Sequence, residues 1–166
     1  RYFLMREVPF GNDGNFSRHN MAERINSDLA NNIGNLAQRT LSMIQKNCGG
    51  VVPQHGEFTD NEQHSIHFDK DYYAQKNNFA NFTFDFAIQN ILSKANESNQ
   101  YMNDEAPWKI KDNNVRRDTV LYIMAESIRS IAIMLQPFMP EASKKILLQL
   151  GYTESDFDNK FGGIPF

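Results

Sequence analysis

The chain has 166 residues, 40% of them hydrophobic, which is enough for one compact domain of ordinary size. Its formal net charge of −3 excludes a protein that is basic over its whole surface, so any contact with RNA has to be local. No run of eighteen apolar residues is present, which excludes a membrane-spanning helix, and the single cysteine, Cys48, excludes an internal disulfide and a thiolate zinc cluster.

Residues 1–16 are predicted to form a connector that leaves an earlier domain. They close on a run of turn-forming residues that begins at Pro9 and ends at Phe16. The chain opens without an initiator Met, and its first residues are too few and too charged for a secretory signal. We therefore expect a fragment of a longer protein that resides in the reducing cytoplasm, where an unpaired cysteine is ordinary.

A long helix is predicted next. Ser17 can cap its start, and Gly49 and Gly50 stop it after about Asn47.

On a helical wheel this helix has two distinct sides. One broad stripe is apolar and contains Ala22, Ile25, Leu29, Ile33, Leu36, Thr40 and Ile44. Asn31, Asn35 and Arg39 follow one another at i, i+4 and i+8 on roughly the opposite side. These three residues are therefore expected to face solvent or a ligand and not the core.

The middle of the chain is predicted to contain a loop and two further helical segments. Residues 49–60 form the loop, and a polar segment follows from about Asn61 to Gln75. The stretch from Phe79 to Met102 is rich in aromatic residues. Within it, residues 82–86 alternate like a strand, but its length and its continuing 3.6-residue period favour a helix.

A break at residues 104–107 leads into Trp108, the only tryptophan. The next predicted helix runs from Val115 to about Gln136 and is apolar on much of its circumference, so we expect it to be the most buried. Pro137 and Pro140 end it, because proline cannot continue a helix.

The last predicted helix runs from Glu141 to Leu150 and is capped by Gly151. Together the helices predict an all-α fold, an antiparallel helical bundle over residues 17–151. Residues 152–166 are interpreted as a truncated C-terminal tail.

The chemistry of Asn35, Arg39 and Trp108 suits an unpaired RNA base. Asn35 and Arg39 lie one helical turn apart and offer a two-way amide and a planar fork of donors for a base edge. Trp108, on an Ala-Pro-Trp turn, offers a flat surface for stacking. The alternatives are a solvated helix face for Asn35 and Arg39 and a core or hinge anchor for Trp108.

Four basic residues near this turn are candidates for contacts with RNA phosphates, and the alternative is a solvated basic face. They are Lys109, Lys111, Arg116 and Arg117.

No residue pattern predicts catalysis or a metal site in this chain. His64 and His67 lie near Asp60 and Glu62, but no further ligand is well placed. A Cys48–His55 pair lacks a partner to orient the base. No glycine-rich phosphate loop is present, so we expect neither a catalytic residue nor a cofactor in this fragment.

Several motifs resemble those of the bacterial methionyl-tRNA synthetase family. Residues 1–17 are similar to the segment that follows the second catalytic signature, and residues 26–39 resemble the first helix of the anticodon-binding domain. Residues 135–141 and the pair Leu150-Gly151 are similar to a motif shared among class I synthetases for aliphatic amino acids. Three features point to the methionine enzyme within this class: the Asn-Asp-Gly connector, the run from Asn35 to Arg39 and the Ala-Pro-Trp turn.

The resemblance implies a class I anticodon-binding bundle that recognises the CAU anticodon of methionine tRNA. By motif position, Asn35 and Arg39 would contact anticodon bases and Trp108 would stack on one. The parent enzyme would use ATP, with magnesium, to ligate methionine to its tRNA. The His-x-Gly-His and Lys-Met-Ser-Lys-Ser signatures are absent here, so the catalytic domain of the same protein becomes an expected partner.

Two alternatives remain open on the sequence. One is the equivalent bundle of a leucyl-, isoleucyl- or valyl-tRNA synthetase. The other is a non-enzymatic helical adaptor that binds proteins through its aromatic-rich helix. The adaptor would gain support if Phe82, Phe84 and Phe86 formed one contiguous exposed patch.

Overall fold

The computed structural model describes residues 1–65, 68–153 and 156, and the regular elements among them are helical, which confirms the predicted all-α bundle. In chain order they are α1 (Tyr2–Glu7), α2 (Arg18–Arg24), a π-helical segment (Ile25–Gly34), α3 (Asn35–Cys48), α4 (Asp60–Ser65), α5 (Phe68–Ala80), α6 (Phe84–Glu105), a 3₁₀ turn (Pro107–Lys109), α7 (Asn114–Leu135) and α8 (Pro140–Gln149). Among the described helices, none is long and apolar enough to cross a lipid bilayer.

The first long helix begins and ends where the sequence predicts. The Ser17 hydroxyl accepts a hydrogen bond from the Asn20 amide at 3.3 Å, and Gly49 takes a left-handed conformation with φ of 64°. Between these caps α2, the π-helical segment and α3 follow one another without a break.

The apolar stripe of this helix is buried only in its second half. Ile33, Leu36, Thr40 and Ile44 are buried, whereas Ala22 and Ile25 are exposed, so the prediction is wrong for those two residues. α2 buries none of its residues, and the i→i+5 turns of the π-helical segment rotate its side chains out of the 3.6-residue phase that the wheel assumes.

The centre of the bundle is the pair α6 and α7, against which α1, α3, α5 and α8 pack. Leu36, Ile88, Met102, Val120 and Met124 are among the fully enclosed side chains of the main core. α7 buries residues around most of its circumference, which confirms the prediction that it is the most buried helix.

The predicted helix from Phe79 to Met102 is interrupted. α5 runs on to Ala80, and a turn at residues 81–83 separates it from α6. The Thr83 amide donates to the Asn78 carbonyl at 2.8 Å and the Phe82 amide to the Phe79 carbonyl at 3.2 Å, which is a Schellman motif. Its left-handed position is filled by Phe82, with φ of 56°, and not by the glycine that would mark the helix end in the sequence.

The predicted connector contains a helix that is docked on the bundle. Tyr2 and Phe3 of α1 are buried, and Tyr2 is part of the main core. The Tyr2 hydroxyl donates to Asp28 at 3.1 Å, and Arg6 lies 3.8 Å from the same carboxylate. The division of the chain at residues 16 and 151 stays a prediction; of residues 152–166 the structure describes Tyr152, Thr153 and Asp156.

Candidate functional site

Trp108 is displayed on a tight corner between the two central helices. Ala106 caps the C-terminal end of α6 in a left-handed conformation with φ of 42°, and the Lys109 amide donates to the Ala106 carbonyl at 2.8 Å to close the turn. Pro107 is buried and anchors the turn, whereas Trp108 is 47% exposed. The corner therefore holds an indole ring at the surface on a short, constrained backbone.

Arg39 lies against this ring. Its guanidinium carbon is 5.4 Å from the centre of the Trp108 ring, which is the geometry of a cation–π contact. Its Nη2 atom also donates to the Asn103 side-chain oxygen at 2.8 Å. Two residues 69 positions apart in the chain thus meet at one surface, with the Arg39 side chain held from two sides.

Asn103 was not identified from the sequence as a site residue. Its only sequence signal is its position in the last turns of the helix that leads to the Ala-Pro-Trp corner. It belongs to a line of asparagine contacts between the first long helix and α6: Asn32 donates to Asn96 at 2.8 Å, and Asn99 donates to Asn32 at 2.9 Å. These contacts join the first long helix to α6 at Asn96, Asn99 and Asn103.

Asn35 is exposed and lies one helical turn before Arg39 on the same side of the helix. Its side-chain amide donates to the Asn31 carbonyl at 2.9 Å, which uses one of its two N–H donors. Arg39, which is partly buried, thus meets the exposed Trp108, and the exposed Asn35 lies one helical turn before Arg39; the contact of these three residues with RNA stays a prediction.

A cluster of ionisable side chains lies next to the Trp108 corner and joins the helices around it. Glu62 of α4 is 3% exposed and accepts hydrogen bonds from Arg116 at 2.8 Å and from the Tyr101 hydroxyl at 2.6 Å. Arg116 also pairs with Glu105 at 2.6 Å, the last residue of α6 before the turn. The cluster ties α4, α6 and α7 together beside Trp108.

The pKa shifts in this cluster favour the ionised forms of Glu62 and Arg116 and the neutral form of Tyr101. Burial alone would raise the pKa of Glu62, but hydrogen bonds from Arg116, Tyr101 and Thr59 outweigh it and lower that pKa from its ordinary 4.5 to about 2. Burial and the bond to Glu62 raise the pKa of Tyr101, and the bond to Glu62 raises the pKa of Arg116. At neutral pH the cluster is a carboxylate, a neutral phenol and a guanidinium.

The four basic candidates differ in how they are engaged. Lys109 and Lys111 are exposed beside the corner. Arg116 is occupied by Glu62 and Glu105, and Arg117 pairs with Asp118 at 3.0 Å. The geometry favours the two lysines as phosphate contacts, and this role stays a prediction for all four residues.

The other candidate chemistries receive no geometric support. Cys48 donates weakly to Asp118 at 3.8 Å, and burial raises the pKa of its thiol, whereas the His55 ring stacks on Phe58 at 4.2 Å. His67 and the side chain of His64 lie outside the described part of the chain. Within that part there is no group of three or more His, Cys, Asp or Glu residues that could hold a metal ion.

A protein-binding adaptor was expected to expose Phe82, Phe84 and Phe86 as one patch, and the structure meets this expectation only in part. Phe82 and Phe86 are exposed, but Phe84 between them is partly buried against the main core. The three rings therefore do not form one contiguous exposed patch. Phe10, from the segment after α1, stacks on Phe82 with ring centres 5.0 Å apart.

Comparison with protein families gives two matches. A family described as the anticodon binding domain of methionyl tRNA ligase matches residues 52–163. A second, described as class I tRNA synthetases of the M group, matches residues 1–41.

Individual relatives agree with these families. The methionine–tRNA ligase of Brucella suis is 43% identical over 149 residues, which cover 89% of this chain and 29% of the relative. That of Mycobacterium leprae is 41% identical and is matched over 93% of this chain and 30% of its own length. A solved structure of Mycobacterium tuberculosis methionyl-tRNA synthetase with methionyl-adenylate superposes with a TM-score of 0.91 at 38% identity, covering 98% of this chain and 33% of that one. The chain thus spans about a third of the length of the proteins it matches.

Proposed function

This chain belongs to the methionyl-tRNA synthetase family as an anticodon-binding domain, and we propose that the whole protein ligates methionine to its tRNA with ATP. A bundle from a leucyl-, isoleucyl- or valyl-tRNA synthetase is disfavoured because the family matches and the relatives named above all belong to the methionine enzyme. An adaptor without enzymatic activity is disfavoured for the same reason.

We propose a division of labour within the parent enzyme. ATP, with magnesium, and methionine are handled by a catalytic domain in the same polypeptide, because the nucleotide-binding signatures of this family are absent from the present sequence. The residues described here supply recognition of the tRNA and no covalent step. We expect the enzyme to work in the cytoplasm.

The recognition site is proposed to read the CAU anticodon with Asn35, Arg39 and Trp108. A single observation carries this proposal: a guanidinium lies 5.4 Å from the centre of a half-exposed indole ring. One unstacked base stacks on the open part of the Trp108 ring, and the donors of Arg39 that Asn103 does not use bind a base edge. Asn35 adds an amide on the same helix face, and Lys109 and Lys111 contact the loop phosphates.

Replacement of Trp108 or Arg39 in the parent enzyme tests the proposal. Trp108→Ala removes the stacking surface and Arg39→Ala removes the donors. Each lost contact, at about 1–3 kcal/mol, corresponds to a roughly 5- to 150-fold loss in the kcat/KM of tRNA charging. Methionine-dependent ATP–pyrophosphate exchange should barely change, because it needs no anticodon.

Tyr73→Ala is the matched control, since it removes another exposed aromatic ring, 63% accessible, from α5. It should leave both reactions unchanged. If Trp108→Ala lowered exchange and charging equally, or melted the domain, Trp108 would be a structural anchor and the proposed reading site would be wrong.

A further inference from the structure

A cavity of about 470 Å³ opens between α5, α6 and α7. The reading-site residues Asn35, Arg39 and Trp108 take no part in its described wall. Its volume lies within the range of small-molecule sites, which are clefts of about 300–1,000 Å³. The cavity is therefore large enough to hold a ligand with a ring and a polar group.

Exposed side chains form the mouth of this cavity and buried side chains form its interior. Ala74 of α5 and Ser93 of α6 are exposed members of the wall. The apolar part of the interior is formed by Ala87, Ile123 and Met134, each of which is 3% exposed or less. Alanine on both α5 and α6 leaves space that a longer side chain would fill.

Ser127 of α7 brings an unpaired hydroxyl to this interior. It is 9% exposed and makes no hydrogen bond within the part of the chain that the structure describes. The buried hydroxyls of Ser98 and Thr119 instead donate to the carbonyl four residues earlier, at 2.8 and 2.7 Å. Ser130 and Ser143 also lack a partner, but neither lines the cavity. Only at Ser127 can a molecule in the cavity supply the bond that an enclosed polar group normally has.

Gln75 of α5 adds a second unpaired polar atom. Its side-chain nitrogen donates to the Met134 carbonyl at 2.7 Å, which fixes the side chain at the contact between α5 and α7. Its Oε1 atom accepts no hydrogen bond from the described residues, although Gln75 is only 9% exposed. The interior thus offers a fixed acceptor at Gln75 and a hydroxyl at Ser127 that donates or accepts.

The ionised groups on the described wall balance one another. Lys94 pairs with Asp71 at 2.5 Å, and the exposed Lys70 and Glu97 add one charge of each sign. A ligand with a net charge would therefore meet no excess of opposite charge to compensate for its lost hydration. This composition favours an uncharged ligand.

We propose that this cavity is a binding site for a small uncharged aromatic amide. The amide N–H of the ligand donates to Gln75 Oε1, and its carbonyl accepts a hydrogen bond from the Ser127 hydroxyl. The ring packs against Ile123 and Met134, because a thioether sulfur makes favourable contacts with aromatic rings. Binding involves no covalent step and none of the anticodon-reading residues.

Nicotinamide and nicotinate are the matched probes, because they share a pyridine ring and carry an amide or a carboxylate. Each is titrated to about 10 mM into the full-length protein, labelled at its methionine methyl groups for NMR. Met134 reports on the cavity, and Met21, exposed on α2, reports on non-specific effects. We expect nicotinamide to shift the Met134 signal with a Kd of about 1 mM, and nicotinate to bind at least about tenfold more weakly.

Variants of the same protein locate the binding. Ser127→Ala should weaken nicotinamide binding about fivefold, and it should not lower the midpoint of thermal unfolding, because this hydroxyl has no partner among the described residues. Ala74→Trp fills the mouth with a large ring and should abolish binding. The control is Ala80→Trp, which adds the same ring at an exposed position of α5 outside the described wall.

Three outcomes would overturn the proposal. Equal affinities for nicotinamide and nicotinate would show that the site does not select an uncharged amide. A Met134 signal that neither probe moves would mean that the cavity holds only water. A shift that persists in both Ala74→Trp and Ser127→Ala would place the probe elsewhere. Each measurement is independent of tRNA charging, so failure of the proposed function would be seen separately.

Discussion

Glu62 is a carboxylate that the fold has withdrawn almost completely from water. Removing a charge from water is costly unless strong partners replace the solvent, and here Arg116, Tyr101 and Thr59 do so. Because the folded state stabilises the ionised form of Glu62 more than the unfolded state does, the pKa of Glu62 falls from 4.5 to about 2. Arg116 pairs with both Glu62 and Glu105, so the ionisation of Glu62 is linked to the contacts that hold the Trp108 corner.

Protonation of Glu62 should weaken the fold. The folded pKa lies below the unfolded one, so the stabilisation is complete above about pH 4.5 and is lost as the pH falls toward 2. The shift corresponds to roughly 3 kcal/mol, which Glu62→Gln should remove at neutral pH. Urea unfolding followed by circular dichroism at several pH values measures both effects.

The matched control is Glu23→Gln, because Glu23 is 67% exposed and pairs with the exposed His19 at 3.3 Å. It should change the unfolding free energy by less than about 0.5 kcal/mol. A Glu62→Gln variant with the stability and the pH profile of the original chain would show that the cluster contributes nothing to folding.

At the scale of elements, α1 shows how a short helix is held in place. Six residues are too few for a stable isolated helix, so α1 depends on its contacts with the bundle. Asp28, in the π-helical segment, accepts the Tyr2 hydroxyl and pairs with Arg6, and burial together with Asp28 raises the pKa of Tyr2. One carboxylate thus fastens two successive turns of α1.

Replacing Asp28 by Ala should loosen α1. The Tyr2 hydroxyl would remain largely enclosed without its acceptor, and Arg6 would lose the carboxylate that lies 3.8 Å from it, at a cost of about 1–3 kcal/mol. Chemical unfolding measures the total loss of stability, and hydrogen exchange across residues 2–7 shows whether that loss is located in α1. Glu97→Ala is the control, since Glu97 is exposed and accepts a hydrogen bond from Ser93 at 3.0 Å. Equal effects of the two variants would mean that α1 is held by its apolar side chains alone.

Elements whose ends carry local signals were predictable from the sequence. Ser17 and Gly49 mark the first long helix, and Pro137 and Pro140 mark the corner after α7. The end of α5 was not predictable, because Phe82 occupies a position where glycine is the usual signal.

The candidate site was predictable only in part. The spacing of Asn35 and Arg39 identified a shared helix face, and the resemblance added Trp108. The contact between Arg39 and Trp108 depends on how α3 packs against α6, which periodicity does not determine. Asn103 and the Glu62 cluster could not be predicted for the same reason, since their partners lie on other helices.

Across the whole molecule, acidic and basic groups nearly balance, and the free cations near the reading site are few. The net charge is −3, and of the four basic candidates Lys109 and Lys111 make no ion pair with a carboxylate in the part of the chain that the structure describes. Recognition should therefore rest on stacking and base edges more than on attraction to phosphates.

Binding of an anticodon stem-loop should depend weakly on salt. With two phosphate contacts, the slope of log K against log salt should be about −1.4 for an unpaired strand, and no steeper than about −2. Fluorescence titration of a labelled stem-loop at several salt concentrations measures it. Lys109→Gln with Lys111→Gln should flatten the slope, whereas the exposed Lys76→Gln on α5 should not. A slope near −5 would indicate a wide electrostatic footprint and contradict this account.

The uninterrupted 22 residues of α6 also limit how this protein can change in length. Every residue inserted into or deleted from a helix turns everything beyond it by about 100° and shifts it by 1.5 Å. One such event in α6 would swing the Trp108 corner away from Arg39, which is carried by a different helix, and would unseat Asn103 at the same time. Insertions and deletions are therefore compatible with the site only outside α6, for instance in the loop between α3 and α4, where added residues leave the phase of the helices intact.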